Sequence, residues 1–143
     1  MTHGPVSARV NNKVEGMHYR VYNSKDVEFL DMNSASGSRA YTRTLFFVLC
    51  KAVQDIYPNT DVVIDIPVSN GFYGDIRLGR PVVDEDVNIL RRRMQEIIDS
   101  KMPIRRFTVP TEEAIALFQE KGDVEKVKLL RTSGSFYTTY YKI

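Results

Sequence analysis

Residues 6–10 alternate, with Val6, Ala8 and Val10 on one side and Ser7 and Arg9 on the other. That two-residue period is the pattern of a half-buried strand. Asn11-Asn12 follows, a pair able to take positive φ in a turn. The alternation returns over residues 17–22, where Met17, Tyr19 and Val21 oppose His18, Arg20 and Tyr22. Asn23-Ser24 then turns the chain toward Val27, Phe29 and Asp31. Residues 6–31 are therefore predicted as a three-stranded meander. Three short strands are marginal alone, so this piece needs something to pack on.

After a Ser/Gly turn at 34–38 the period changes. Tyr41, Leu45, Val48, Leu49, Ala52, Val53 and Ile56 recur at three- and four-residue spacing, which predicts a helix from about Arg39 to Tyr57. Phe46 and Phe47 widen its apolar face and predict a well-buried helix, and Pro58 ends it. Residues 61–68 read as a central strand, Ser69-Asn70-Gly71 as a hairpin turn, and residues 72–78 as the partner strand. A second helix opens on Asp84, Glu85 and Asp86, whose charges suit a helix N-terminus. Its stripe is Val87, Leu90, Met94, Ile97 and Ile98. Ile104, Phe107 and Val109 predict a strand, and residues from Thr111 a third helix. Residues 124–130 fit a short helical turn or an extended stretch, and 136–143 an aromatic strand. Strands and helices do not alternate as in a doubly wound parallel sheet. The order predicts an α+β fold: a small β-rich lobe, then an antiparallel sheet with helices on one face.

Composition narrows the function classes. The chain has 143 residues, 43% hydrophobic and 27% charged, with a net charge of +2, which excludes intrinsic disorder. The longest apolar run, residues 45–50, is six residues, far short of the roughly 20 that span a bilayer, and no membrane partner is expected. One cysteine, Cys50, excludes an intrachain disulfide and points to a reducing, cytoplasmic setting. Two histidines and one cysteine leave little for zinc, so no metal and no cofactor are expected in this stretch. The phosphate-loop, dinucleotide and nucleophile-elbow glycine motifs are absent.

A run of short motifs carries a resemblance. Ala52-Val53, Tyr57-Pro58-Asn59, Pro67-Val68 and Gly71-Phe72-Tyr73-Gly74-Asp75-Ile76 look like the start of the second N-terminal domain of threonyl-tRNA synthetase, which is shared with alanyl-tRNA synthetase. The Asp84–Lys101 helix, Met102-Pro103-Ile104, Glu112-Glu113-Ala114, Leu117-Phe118, Gly122 and Lys126-Val127 keep the same order. Residues 6–31, with Ala8-Arg9-Val10-Asn11-Asn12, are similar to the later part of a TGS module, a small ubiquitin-like domain. The resemblance implies a partial TGS-like module at 1–36. It also implies a synthetase-like second domain at 37–143, truncated at its C-terminal end. In the family that domain edits Ser-tRNA, with a His-x-x-x-His pair on the long helix and a Cys-x-x-x-His pair further on. Alignment on Ala52-Val53 puts the first pair at Arg43 and Phe47, and the second beyond Ile143. His3 and His18 lie elsewhere. Arg43 is always protonated and cannot act as a base.

Val6 to Gly16, Pro67-Val68-Ser69-Asn70-Gly71, and Lys126 to Leu130 with Thr132-Ser133-Gly134-Ser135 are closer to the N-terminal region of bacterial uridine-kinase-like proteins. That likeness implies a non-catalytic accessory module with a degenerate editing site. It would bind RNA or a nucleotide, or regulate a nucleoside-kinase domain in cis that uses ATP and magnesium. The alternative is a Ser-tRNA deacylating, editing-type domain. The ligand-binding candidates are Arg43, Phe47, Phe72, Tyr73 and Asp75, with no catalytic residue assigned. Arg91, Arg92, Arg93, Arg105 and Arg106 are nucleic-acid contacts if they share a face, and solvated surface otherwise. Phe72 and Tyr73 are base-stacking rings or core, with alternation sending one of them inward. Asp65 and Asp75 read as strand surface, Cys50 as a small buried apolar residue. Tyr137, Tyr140 and Tyr141 either pack or face a further domain.

Overall fold

The computed structural model describes residues 4–69 and 71–143. Compactness divides the chain after Ser100 into two units. Residues 1–36 therefore share a unit with the two helices that follow, and 37–143 spans both units.

The first unit opens with β1 (Ser7–Val10), β2 (Lys13–Glu15) and β3 (Val27–Leu30), ordered β2-β1-β3 and antiparallel throughout. Asn11 and Asn12 take φ of 45° and 66°. They turn the chain so tightly that Val10 faces Lys13. This corrects the predicted strand at 17–22. β2 takes one edge of β1 and β3 takes the other, so no edge of β1 remains for Met17–Tyr22. Met17, Tyr19, Val21 and Tyr22 are all exposed there.

The long helix α1 spans Ala35–Ile56, starting four residues before the predicted Arg39. Ser34 is its N-cap: Oγ accepts from the Gly37 amide at 3.1 Å and donates to the Asp31 carbonyl at 2.8 Å. The Ser/Gly segment is thus the cap and first turn of the helix. Gly37 is required there, because a Cβ would sit 1.9 Å from the Asp31 carbonyl oxygen. Burial on α1 falls on Val48, Ala52 and Val53, while Tyr41 and Leu45 are exposed. Apart from Gly37 in the first turn, the expected well-buried helix is buried only in its C-terminal half, the half that bears on the helix α2 (Asp84–Asp99) through Asp55 and Arg93. Leu90 and Ile97 of α2 supply the matching core. Val87 and Ile98, placed on the stripe by periodicity, are exposed.

Between the two helices, β4 (Val62–Val68) pairs with β5 (Gly71–Ile76). The predicted hairpin turn joins them, with Ser69 at φ 52°; its central Asn70 lies outside the described residues. A bulge falls between Ile64 and Ile66.

The second unit is β6 (Arg105–Pro110), α3 (Thr111–Glu120), α4 (Val124–Thr132) and β7 (Tyr137–Lys142), with β6 and β7 antiparallel. Residues 124–132 settle as helix, capped by Asp123 on the Lys126 amide at 3.1 Å. Tyr140 stacks on Phe107 with centroids 5.3 Å apart and meets the Phe118 edge at 6.1 Å. Thr111 is buried; its hydroxyl donates to the Ser135 carbonyl at 2.6 Å and lies 2.9 Å from the Thr138 hydroxyl. The class is α+β. The strands after α1 form two separate ladders rather than one continuous sheet.

Candidate functional site

Helix geometry puts Arg43, Phe46 and Phe47 on one stripe of α1, three and four residues apart. Arg43 is exposed and Phe47 half-buried. Phe46 makes the contact with the hairpin, its ring 4.9 Å from that of Phe72 at an interplanar angle of 86°. The wall between α1 and β5 is therefore Phe46 edge-on to Phe72, with positions 43 and 47 on the same helical stripe. Periodicity marks Phe46 only as a widening of the apolar face; its contact with Phe72 depends on where the hairpin sits.

Phe72 and Tyr73 are adjacent in sequence and so point to opposite faces of the ladder. Phe72 shares its face with Gly74 and Ile76, toward α1, and remains 51% exposed. Tyr73, 61% exposed, shares the other face with Asp75. Neither ring is core. Asp75 lies opposite Val63, and Arg77 Nε is 3.5 Å from its carboxylate. Asp65 falls at the bulge. The five ligand-binding candidates are not brought together by any described contact: Arg43 and Phe47 lie on α1, Phe72 meets Phe46 of α1, and Tyr73 and Asp75 share the other face of the ladder.

The arginine run on α2 divides as well. Arg93 binds Asp55 of α1 through Nε at 3.0 Å and Nη2 at 2.8 Å, and Glu96 through Nη1 at 2.8 Å. Lys51 also pairs with Asp55 and, with Arg93, holds that carboxyl below its ordinary range. Arg93 is a helix–helix tie. Arg91 and Arg92 are exposed. Arg105 and Arg106 belong to the second unit. Cys50 is half-buried rather than enclosed.

A cluster that hydropathy does not reveal closes the other end of α1. Asp86 is buried at 3% exposure. Its carboxylate accepts from Arg80 at 2.7 and 2.8 Å, from the Tyr57 hydroxyl at 2.6 Å, and from the Val83 amide at 3.0 Å. Arg80, then Tyr57, hold the Asp86 carboxyl far below the usual carboxylate range, and Asp86 in turn raises Tyr57. The only signal in sequence is an acid three residues after the helix N-cap. The partners come from the end of α1 and from the β5–α2 connection. Every polar valence of this carboxylate is used inside the protein, so the cluster locks structure and leaves no group for a ligand.

Among the described residues no three His, Cys, Asp or Glu side chains stand together as metal ligands. No described helix is long and apolar enough to cross a membrane. His3 lies outside the described residues.

No protein-family model matches the chain. Among curated proteins it is 32% identical over 126 residues to a threonine–tRNA ligase of Acetivibrio thermocellus, across 88% of this chain and 20% of that protein. It is 30% identical over 125 residues to the threonine–tRNA ligase of Clostridioides difficile, across 87% of this chain and 20% of that protein. The enzyme of Natranaerobius thermophilus is 31% identical over 118 residues, 82% of this chain and 19% of its own. The chain spans about a fifth of the length of the curated relatives it matches. It is a threonyl-tRNA synthetase-related sequence over most of its length.

Proposed function

We propose that the chain is an editing-type domain of the threonyl-tRNA synthetase kind, and that the wall between α1 and β5 receives the aminoacylated 3′ end of a tRNA. The observation that carries this reading is the similarity to threonine–tRNA ligases across 88% of the chain. The wall supplies fitting chemistry. Phe72 offers a half-exposed ring on which a terminal base can stack. Arg43 offers a permanent cation for a phosphate or an ester oxygen.

A second reading is favoured by one specific observation. Arg43 and Phe47 stand where the resemblance puts two imidazoles. Neither can take a proton from an attacking water at neutral pH. On this reading the domain, preceded by the partial TGS-like module, is an accessory module that holds RNA or a nucleotide without turnover, or regulates a nucleoside-kinase domain in cis that uses ATP and magnesium. The similarity to synthetases supports the editing-type reading more directly than the kinase-linked one.

One experiment separates them. Seryl-tRNA specific for threonine is incubated with the purified chain, and retention on a filter and ester release are followed together. Both readings require tRNA retention that Arg43→Ala weakens, by about fivefold for one charge-assisted contact. Ester release above the buffer rate assigns the editing reaction; retention with release at the buffer rate assigns the accessory module. Absence of retention contradicts the editing reading and the RNA-holding form of the second.

A further inference from the structure

The second unit carries a surface that the reading above does not use. β6 and β7 pair so that Arg106 lies opposite Tyr141, Thr108 opposite Thr139 and Pro110 opposite Tyr137. Cross-strand partners share a face. Arg106, Thr108, Tyr137, Thr139 and Tyr141 therefore stand together, while Phe107 and Tyr140 turn the other way onto Phe118. Tyr137 is 68% exposed and Tyr141 55% exposed. Neither ring meets another ring among the described residues. The Thr108 and Thr139 hydroxyls bond each other at 2.9 Å and fix the centre of the face.

The charge on this ladder is one-sided. Arg105, Arg106 and Lys142 lie on it, and it carries no carboxylate. None of the three forms an ion pair among the described residues. Exposed aromatic rings alone suit a protein partner as well as a nucleic acid. Arg106, unpaired among the described residues and on the same face as the rings, on a ladder with no carboxylate, complements a phosphate; Arg105 and Lys142 are cross-strand partners on the opposite face at the same end.

We propose that the outer face of β6–β7 is a stacking platform for single-stranded RNA. Tyr137 and Tyr141 are four residues apart, about 13 Å along a strand, so they meet two separated bases with the threonine hydroxyls between. Stacking accepts any base, because every base has a π face. Arg106, on the same face as the rings, meets the phosphate backbone. A duplex keeps its bases inside and cannot use the two rings. The proposal concerns the second unit and does not depend on the Arg43 wall.

The test is fluorescence anisotropy of a 5′-labelled single-stranded RNA of mixed sequence, about 12 nucleotides long, titrated with the full chain at low salt. Tyr137→Ala and Tyr141→Ala should each weaken binding by about fivefold or more, and Tyr141→Phe should retain it. Arg106→Gln should lower the slope of log affinity against log salt by about 0.7. Tyr22→Ala, at a residue 82% exposed in the first unit, should change nothing. The chain has no tryptophan, so quenching of tyrosine emission by RNA, reduced in Tyr141→Ala, reports stacking directly. Binding unaltered in all three β6–β7 variants overturns the proposal, and so does absence of binding. Sedimentation showing a dimer that Tyr137→Ala converts to monomer overturns it in favour of a second copy of the chain. Loss of tRNA retention in Arg43→Ala leaves this result untouched, so the two readings fail separately.

Discussion

The β4–β5 ladder and the β6–β7 ladder each turn one face to a helix through an aromatic ring and leave the other face in water. Phe72 meets Phe46 in the first, and Tyr140 meets Phe118 in the second. The outer faces differ. Val63, Ile66, Val68 and Tyr73 cover the first, on a ladder with two carboxylates, Asp65 and Asp75, and no cation. Tyr137, Tyr141 and Arg106 cover the second, on a ladder with three cations and no carboxylate. Ladder geometry leaves an exposed ring on either outer face; the sign of the neighbouring charges decides which can lie along a phosphate chain.

The comparison can be broken or sharpened by substitution. The largest expected effect tests how firmly the helix behind the first ladder is fixed. Gly37→Ala drives a Cβ into the Asp31 carbonyl and should cost about 3 kcal/mol in a urea unfolding curve. Ser34→Ala, which removes only the cap, should cost about 1 kcal/mol. Equal losses would mean that the close approach at Gly37 relaxes freely.

The next effect compares the inner rings. Tyr140 has two ring partners and Phe72 one. Tyr140→Ala should therefore destabilise by about 2–3 kcal/mol and Phe72→Ala by about 1 kcal/mol. A Phe72→Ala loss as large as that of Tyr140→Ala would remove the distinction between a tightly backed ladder and a loosely backed one.

A smaller effect is pH-dependent and belongs to the first unit. The Asp86 carboxyl is depressed by Arg80 and Tyr57. Its stabilising contribution is thus complete above the unfolded carboxylate value, about pH 4, and is lost as pH falls through the lower folded value. Acid should weaken the native chain progressively below about pH 4. Arg80→Gln should flatten that dependence, with stability at each pH read from urea midpoints. An unchanged acid slope in the variant would show that other carboxylates carry it.

Much of this architecture was legible because its signals are local. The Asn11-Asn12 turn, the end of α1 before Pro58, the hairpin around Ser69, and the existence of an aromatic final strand all follow from residues adjacent in sequence, whereas the pairing of that strand with β6 spans two helices and was not legible. The alternation at 17–22 misled because period alone does not say whether a strand edge is free, and β2 and β3 already occupy both edges of β1. The start of α1 was hidden because Ser-x-x-Gly reads equally as a turn or as a cap, and only the Asp31 contact distinguishes them. At the candidate site, the four-residue spacing of Arg43 and Phe47 gives them one stripe of a helix. The sequence does not show that Phe46, rather than Phe47, would meet the hairpin, or that Arg93 would be taken by Asp55. The Tyr57–Arg80–Asp86 lock joins three segments through side-chain hydrogen bonds, which leave no trace in hydrophobic periodicity.

The contrast between the two outer faces is tested most directly by amide chemical-shift mapping while a short single-stranded RNA is added to the labelled chain. Shifts should appear at Arg106, Thr108, Thr139 and Tyr141 and fade with added salt, while Ile66, Val68 and Tyr73 stay in place. Shifts confined to Ile66, Val68 and Tyr73, with the β6–β7 amides unmoved, would contradict the assignment of RNA to the cationic ladder.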